Sequence, residues 1–97
     1  MAKVTFIARM TCIPEKRPEF IRLCRQLESH VRANEPDTLA YEFFKLREEN
    51  RYAVLESFRD EAAEQLHMNS KILAEIAPKI SACIVGTWVR EYFDGLE

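Results

Sequence analysis

Ninety-seven residues and 11.4 kDa are enough for one domain, residues 1–97, and too few for two. An apolar fraction of 47% beside 31% charged residues, with two glycines and four prolines, excludes disordered and collagen-like chains. Fourteen Lys and Arg against sixteen Asp and Glu leave a net charge of −2 with no long like-charge block, so nucleic acid is not expected as a partner.

No apolar run approaches the ~18 residues of a membrane span, so no membrane association is expected. The segment from Met1 to Arg9 lacks the apolar centre of a secretory leader, which makes the cytoplasm the expected location. Cys12, Cys24 and Cys83 are odd in number and show no CxxC spacing or companion His cluster. They are expected as three reduced, buried thiols, with no metal site.

From Lys3 to Thr11, Val4, Phe6, Ala8 and Met10 alternate with Thr5, Ile7, Arg9 and Thr11, the period-2 pattern of a strand. Pro14 and Pro18 punctuate a helix start, after which Phe20, Cys24, Leu27 and Val31 form one apolar stripe to about Ala33. The Asn34-Glu35-Pro36-Asp37 segment breaks that helix, because the residue before a proline is pushed out of the helical region. Leu39 to Leu46 and Arg51 to Phe58, separated by Arg47-Glu48-Glu49-Asn50, predict a hairpin. Asp60 is a plausible cap for a second helix running to about Pro78, with room for a break near Asn69 and an apolar face through Ala63, Leu66, Ser70, Leu73 and Ala77. Cys83 to Phe93 reads as the fourth strand.

The order β-α-β-β-α-β predicts a ferredoxin-like α+β fold: a four-stranded antiparallel sheet with two helices on one face. The second and fourth strands carry apolar residues on both faces, so the open face is expected to meet a second copy in a homodimer. An RNA-recognition module shares this element order. However, Arg51 to Phe58 lacks that module's glycine, and Glu56 would face phosphate with the wrong sign.

Several short segments carry a resemblance: Glu19-Phe20, Glu35-Pro36, Tyr41-Glu42, Tyr52 through Glu56, and Glu56-Ser57-Phe58-Arg59-Asp60-Glu61-Ala62-Ala63 followed by His67 and Ser70. Together they resemble the antibiotic biosynthesis monooxygenase (ABM) family of small dimeric α+β barrel proteins, which includes quinol monooxygenases and autoinducer-processing relatives. The resemblance implies a pocket in each subunit and oxygenation of a small hydroxyaromatic or quinol by molecular oxygen, without flavin, haem or metal. Position 77, where haem-degrading relatives would place an axial His, is Ala. Isomerisation of a small carbonyl or sugar-like metabolite and a non-catalytic ligand-binding dimer are the alternatives.

His67 is the histidine of that family-like segment, and its ordinary pKa of about 6.5 suits a general base. Glu56 is a lone carboxylate inside AVLESF, where burial demands a partner or a wet cavity. A four-residue hairpin loop places Tyr41 directly across from Glu56 and Phe43 across from Val54. His67, Glu56 and Tyr41 are therefore the candidate catalytic groups, and Phe6, Phe43 and Trp88 the candidate pocket walls. Aromatic residues on strands are nevertheless more often core, and Arg9, Arg51 and Arg90 are expected in surface ion pairs. There is no Gly-rich phosphate loop, GxSxG elbow or HExxH motif.

Overall fold

Alternation sets the first strand, β1 (Val4–Thr11): Phe6, Ala8 and Met10 turn inward and are buried, as is Cys12 just beyond, while Thr5, Ile7 and Arg9 lie on the other face. The computed structural model describes residues 2–96. A short 3-10 turn (Pro14–Lys16) leads into α1 (Arg17–Asn34), whose first turn tolerates Pro18 because its N–H would have no helical partner there. The buried stripe of α1 is the expected one with Leu23 added. Pro36 then holds Glu35 in a non-helical conformation (φ −122°, ψ 82°), and the helix stops.

β2 (Thr38–Lys45) and β3 (Arg51–Phe58) form the expected hairpin. The Leu46 N–H donates to the Arg51 carbonyl at 2.9 Å, closing a four-residue loop in which Asn50 takes φ 63°. Tyr41 consequently faces Glu56, and Phe43 faces Val54. Near the start of β2 the pairing passes from Thr38–Phe58 to Ala40–Ser57, so Leu39 is bulged out and exposed.

The sheet order is β2-β3-β1-β4 with antiparallel neighbours, which leaves β2 at one edge. Two side chains of α1 cap that edge: the Glu28 carboxylate accepts the Phe43 N–H at 2.8 Å, and Arg32 Nε–H donates to the Tyr41 carbonyl at 3.1 Å.

The second helical region divides at Asn69 into α2 (Glu61–Met68) and α3 (Lys71–Ser81). Asp60 caps α2 by accepting the Ala63 N–H at 2.9 Å, and Ser70 caps α3 by accepting the Leu73 N–H at 3.3 Å. Ser70 is thus a cap rather than part of an apolar face. α3 also runs through Pro78 instead of ending there. The ring removes only a bond near the helix end, and Ile76 and Ile80 hold that end in the core.

The fourth strand is shorter than the predicted Cys83–Phe93: β4 spans Val89–Phe93. Pairing with β1 runs from Phe93–Thr5 to Val89–Arg9 and resumes only as an isolated Ile84–Cys12 bridge. Residues 85–88 thus span a stretch that residues 10–11 cross in extended form, and the surplus arches outward at Gly86, whose φ of +68° suits glycine.

All helices lie on the Phe6 face of the sheet. The opposite face carries the Arg9–Glu91 ion pair (2.7 Å) and the Thr5–Ser57 hydroxyl contact (2.7 Å) beside exposed Phe44, Val89 and Phe93. All three cysteines are buried and free. Among the described residues there is no cluster of three metal-ligating side chains and no helix long and apolar enough to cross a membrane.

Candidate active site

The Asp60 cap sets the phase of α2, and two turns later that phase turns His67 into the protein, where its side chain is 1% exposed. Its Nδ1 lies 2.8 Å from Glu35 Oε1, and its Nε2 lies 3.6 Å from Glu56 Oε1. The Tyr41 ring meets the imidazole edge-on at 5.0 Å, and Phe58 lies along it at 5.4 Å. A carboxylate at Glu35 can only accept, so the hydrogen of that contact sits on Nδ1 and the Nε2 lone pair faces Glu56.

Electrostatics supports the same arrangement. Burial pulls the His67 pKa below its ordinary value against the opposing pull of Glu35, so the ring is neutral near pH 7. Burial pushes Glu56 up to about 8; Arg90 lowers it, and Glu64 and Glu35 raise it further. Near neutrality Glu56 therefore holds a proton. Its buried Oε1, which has no hydrogen-bond partner, faces Nε2 just beyond bonding distance. Burial, reinforced by Glu56 and Glu35, raises Tyr41 far above the ordinary phenol and keeps it protonated.

Glu56, His67 and Tyr41 stand at the wall of a cavity of about 180 Å³ between the sheet and the helices. Phe43 and Trp88 also line it, with Leu27, Leu73 and Ile80 supplying the helical side. Trp88, the last residue of the arch, is half-buried against the core. Phe6 does not line it. That ring is fully buried beneath Arg90, packed against Tyr92 (4.9 Å) and Phe58 (6.3 Å).

Two residues of the site were not singled out by sequence reasoning. In the sequence Glu35 figures only in a family-like dipeptide; its signal is Pro36, which forces its backbone out of the helix. Arg90 was expected in a surface ion pair, yet it lines the cavity. Its signal is parity, since Arg90 lies between Trp88 and Tyr92 on one face of the predicted strand Cys83–Phe93. α2 is tied to β4 here, because Tyr92 O–H donates to Glu64 Oε2 at 3.1 Å and Arg90 Nη2 lies 3.7 Å from Met68 Sδ.

The arrangement is an apolar box with proton-handling groups at one side, in a small α+β fold of a four-stranded sheet covered by helices. Residues 3–79 match the family described as antibiotic biosynthesis monooxygenase, and the chain belongs to it. "Putative monooxygenase YcnE" of Bacillus subtilis (strain 168) is 43% identical over 54 residues, 56% of this chain and 57% of that protein, so the match spans little more than half of the relative. The structure of a "putative antibiotic biosynthesis monooxygenase" from Caulobacter crescentus superimposes with a TM-score of 0.92 at 28% identity, covering 98% of this chain and 91% of that one. SnoaB of Streptomyces nogalater, described as a cofactor-independent oxygenase, shares the fold with a TM-score of 0.81 at 19% identity, covering 100% of this chain and 96% of that one. The ferredoxin-like α+β architecture predicted from the sequence is therefore the observed one.

Proposed function

We propose that this protein is a cofactor-independent monooxygenase of a small hydroxyaromatic or quinol, working in the cytoplasm as a homodimer. The observation that carries the reading is the one-sided chemistry of the cavity: mostly apolar walls line about 180 Å³, and Glu56 and His67 stand together at one side. An apolar cavity of about 150 Å³ takes a benzene ring, so this one suits a single substituted ring.

A bound hydroxyl that gives up its proton becomes an electron-rich anion and a stronger electron donor to molecular oxygen. In this reading His67, with its neutral ring, is the base that takes up that proton by way of the protonated Glu56, and Arg90 supplies positive charge at the same wall. For a quinol the balance closes without a reductant. One oxygen atom enters the ring, the other leaves as water with two hydrogens from the substrate, and the ring is oxidised to a hydroxyquinone. The apolar walls limit the contact of bulk water with the anion. The homodimer reading rests on the open sheet face, where Phe44, Val89 and Phe93 are exposed around half-buried Ile7 and Leu55.

The test is oxygen uptake by the purified chain, in the presence of a metal chelator, on addition of substituted hydroquinones. The expected outcome is one O₂ consumed per hydroxyquinone formed. Equal turnover without oxygen would overturn the reading in favour of isomerisation, and binding without turnover in favour of a ligand-binding dimer.

A further inference from the structure

We propose that Glu35 is the outer end of a proton relay, in which His67 carries the hydroxyl proton of a bound phenol from Glu56, at the cavity, to Glu35 and the solvent. The relay rests on the reading above for the identity of the reaction, but it would ionise any hydroxyaromatic that the cavity holds.

Three observations carry it. Both imidazole nitrogens face carboxyl oxygens on opposite sides of the ring, with Nε2 toward Glu56 and Nδ1 toward Glu35. Glu56 lines the cavity and Glu35 does not, while 11% of the Glu35 side chain remains exposed, so its contact with water lies outside the cavity. Glu56 Oε1 is buried with no hydrogen-bond partner and has Nε2 as a nearby acceptor. An apolar cavity has nowhere to keep a released proton, and a proton left beside the new anion recombines with it.

The transfer balances. The substrate O–H bond breaks as its proton passes to Glu56 Oε2, the Glu56 Oε1 proton passes to His67 Nε2, and the Nδ1 proton passes to Glu35 Oε1, which yields it to water. With the last step to water, four bonds to hydrogen break, four form, and no electrons are transferred. When oxygen later departs as water, the same chain run backwards returns a proton and restores Nδ1–H. Around the imidazole the titratable and charged groups are Glu35 from the α1–β2 turn, Tyr41 from β2, Glu56 from β3, Glu64 from α2 and Arg90 from β4, whereas α3 presents apolar side chains. Of the carboxyl groups among these, only Glu35 and Glu56 meet the ring nitrogens.

Glu35 is on this account a positioning residue that acts through His67, and Glu35→Gln separates transfer from orientation: the amide oxygen still accepts from Nδ1–H but takes up no proton. The probe is 4-nitrophenol, whose absorption moves to longer wavelength on ionisation, added to the full chain in buffer acid enough to keep the free probe neutral. The wild-type protein is expected to bind it as the anion. Glu35→Gln is expected to slow ionisation of the probe after stopped-flow mixing and, with a quinol, to lower kcat, each by roughly tenfold, while the anion fraction reached at equilibrium is not reduced and the affinity for nitrobenzene and the KM stay within about twofold. Nitrogen-15 NMR should show His67 as the Nδ1–H tautomer in both proteins. Ionisation of the probe by Glu35→Gln at the wild-type rate, or an Nε2–H tautomer in the wild type, overturns the relay. Ionisation that depends on Glu35 in a protein that consumes no oxygen keeps the relay and removes the oxygenase reading; oxygen uptake indifferent to Glu35→Gln does the reverse.

Discussion

The guanidinium carbon of Arg90 stands 4.9 Å from the centre of the Phe6 ring, so a residue that the sequence suggested as a cavity wall instead carries the cation that lines the cavity. A cation on a ring face gains roughly 0.5–2 kcal/mol, more where water is excluded. Replacing Phe6 by Leu removes this platform. The variant is expected to melt lower, by roughly 1–2 kcal/mol of stability. It should also raise the Glu56 pKa above its present value of about 8, because Arg90 is the group that lowers it. Carbon-13 NMR titration of the Glu56 carboxyl checks the second effect independently of the first.

Glu56 makes stability depend on pH with a definite sign. Its folded pKa of about 8 lies above the ordinary value of 4.5, so between these values the folded state binds more protons than the unfolded state, and stability falls as pH rises through that window. Glu56→Gln removes this slope. Its unfolding free energy should gain on that of the wild type from about pH 5 to pH 8, by a few kcal/mol at most, and run parallel above, as denaturant titrations at each pH would show. His67 acts in the opposite sense. Its folded pKa is lowered, so the stability it contributes is lost as pH falls below the ordinary value of 6.5.

His67→Gln is expected to lower quinol turnover by roughly 10²-fold or more, the usual loss for a removed general base. The imidazole is fully buried and hydrogen-bonded to Glu35, so truncation to Ala would also leave a void and deprive Glu35 of that partner, and a lower melting temperature is expected for that variant. Comparing kcat and melting for the two variants separates chemistry from packing.

The capped edge of β2 gives a prediction about solubility. With Glu28→Ala and Arg32→Ala combined, the Phe43 N–H and the Tyr41 carbonyl lose their partners at an edge of the sheet. A loss of roughly 1–3 kcal/mol is expected, together with light scattering that grows with concentration as edges pair between molecules.

The open face predicts a particle of about twice 11.4 kDa in light scattering. Leu55→Glu, at the centre of that face, should shift the particle to the monomer while leaving the His67–Glu56 geometry in place. A wild-type monomer at micromolar concentration would remove the homodimer reading.

Much of the fold was legible because alternation and helical periodicity are local. The hairpin register follows from a four-residue loop, which sets Tyr41 against Glu56 as the structure has it. The ends of elements were less legible. Pro78 stays inside α3, since burial of Ile80 outweighs one lost hydrogen bond, and the fourth strand loses its first half to the arch at Gly86, which strand propensity does not register. At the site, His67 and Glu56 stood out as titratable groups in apolar surroundings. Glu35 did not, because its approach to His67 depends on a backbone turn at Pro36 and a partner 32 residues away.

The arch between Ile84 and Val89 contains a surplus of two residues relative to β1. Two is even, so the chain re-enters the ladder in the phase in which it left, and Arg90, like buried Ile84, faces the helices. Changes of length at this point are therefore asymmetric in effect. Removing a pair of residues shortens the arch that carries Trp88 and leaves β4 as it is, whereas removing one rotates the strand by half a turn, sending Arg90 to the open face and Glu91 into the core. Two-residue insertions and deletions at residues 85–88 are thus a means of resizing the cavity while the sheet around it stays in register.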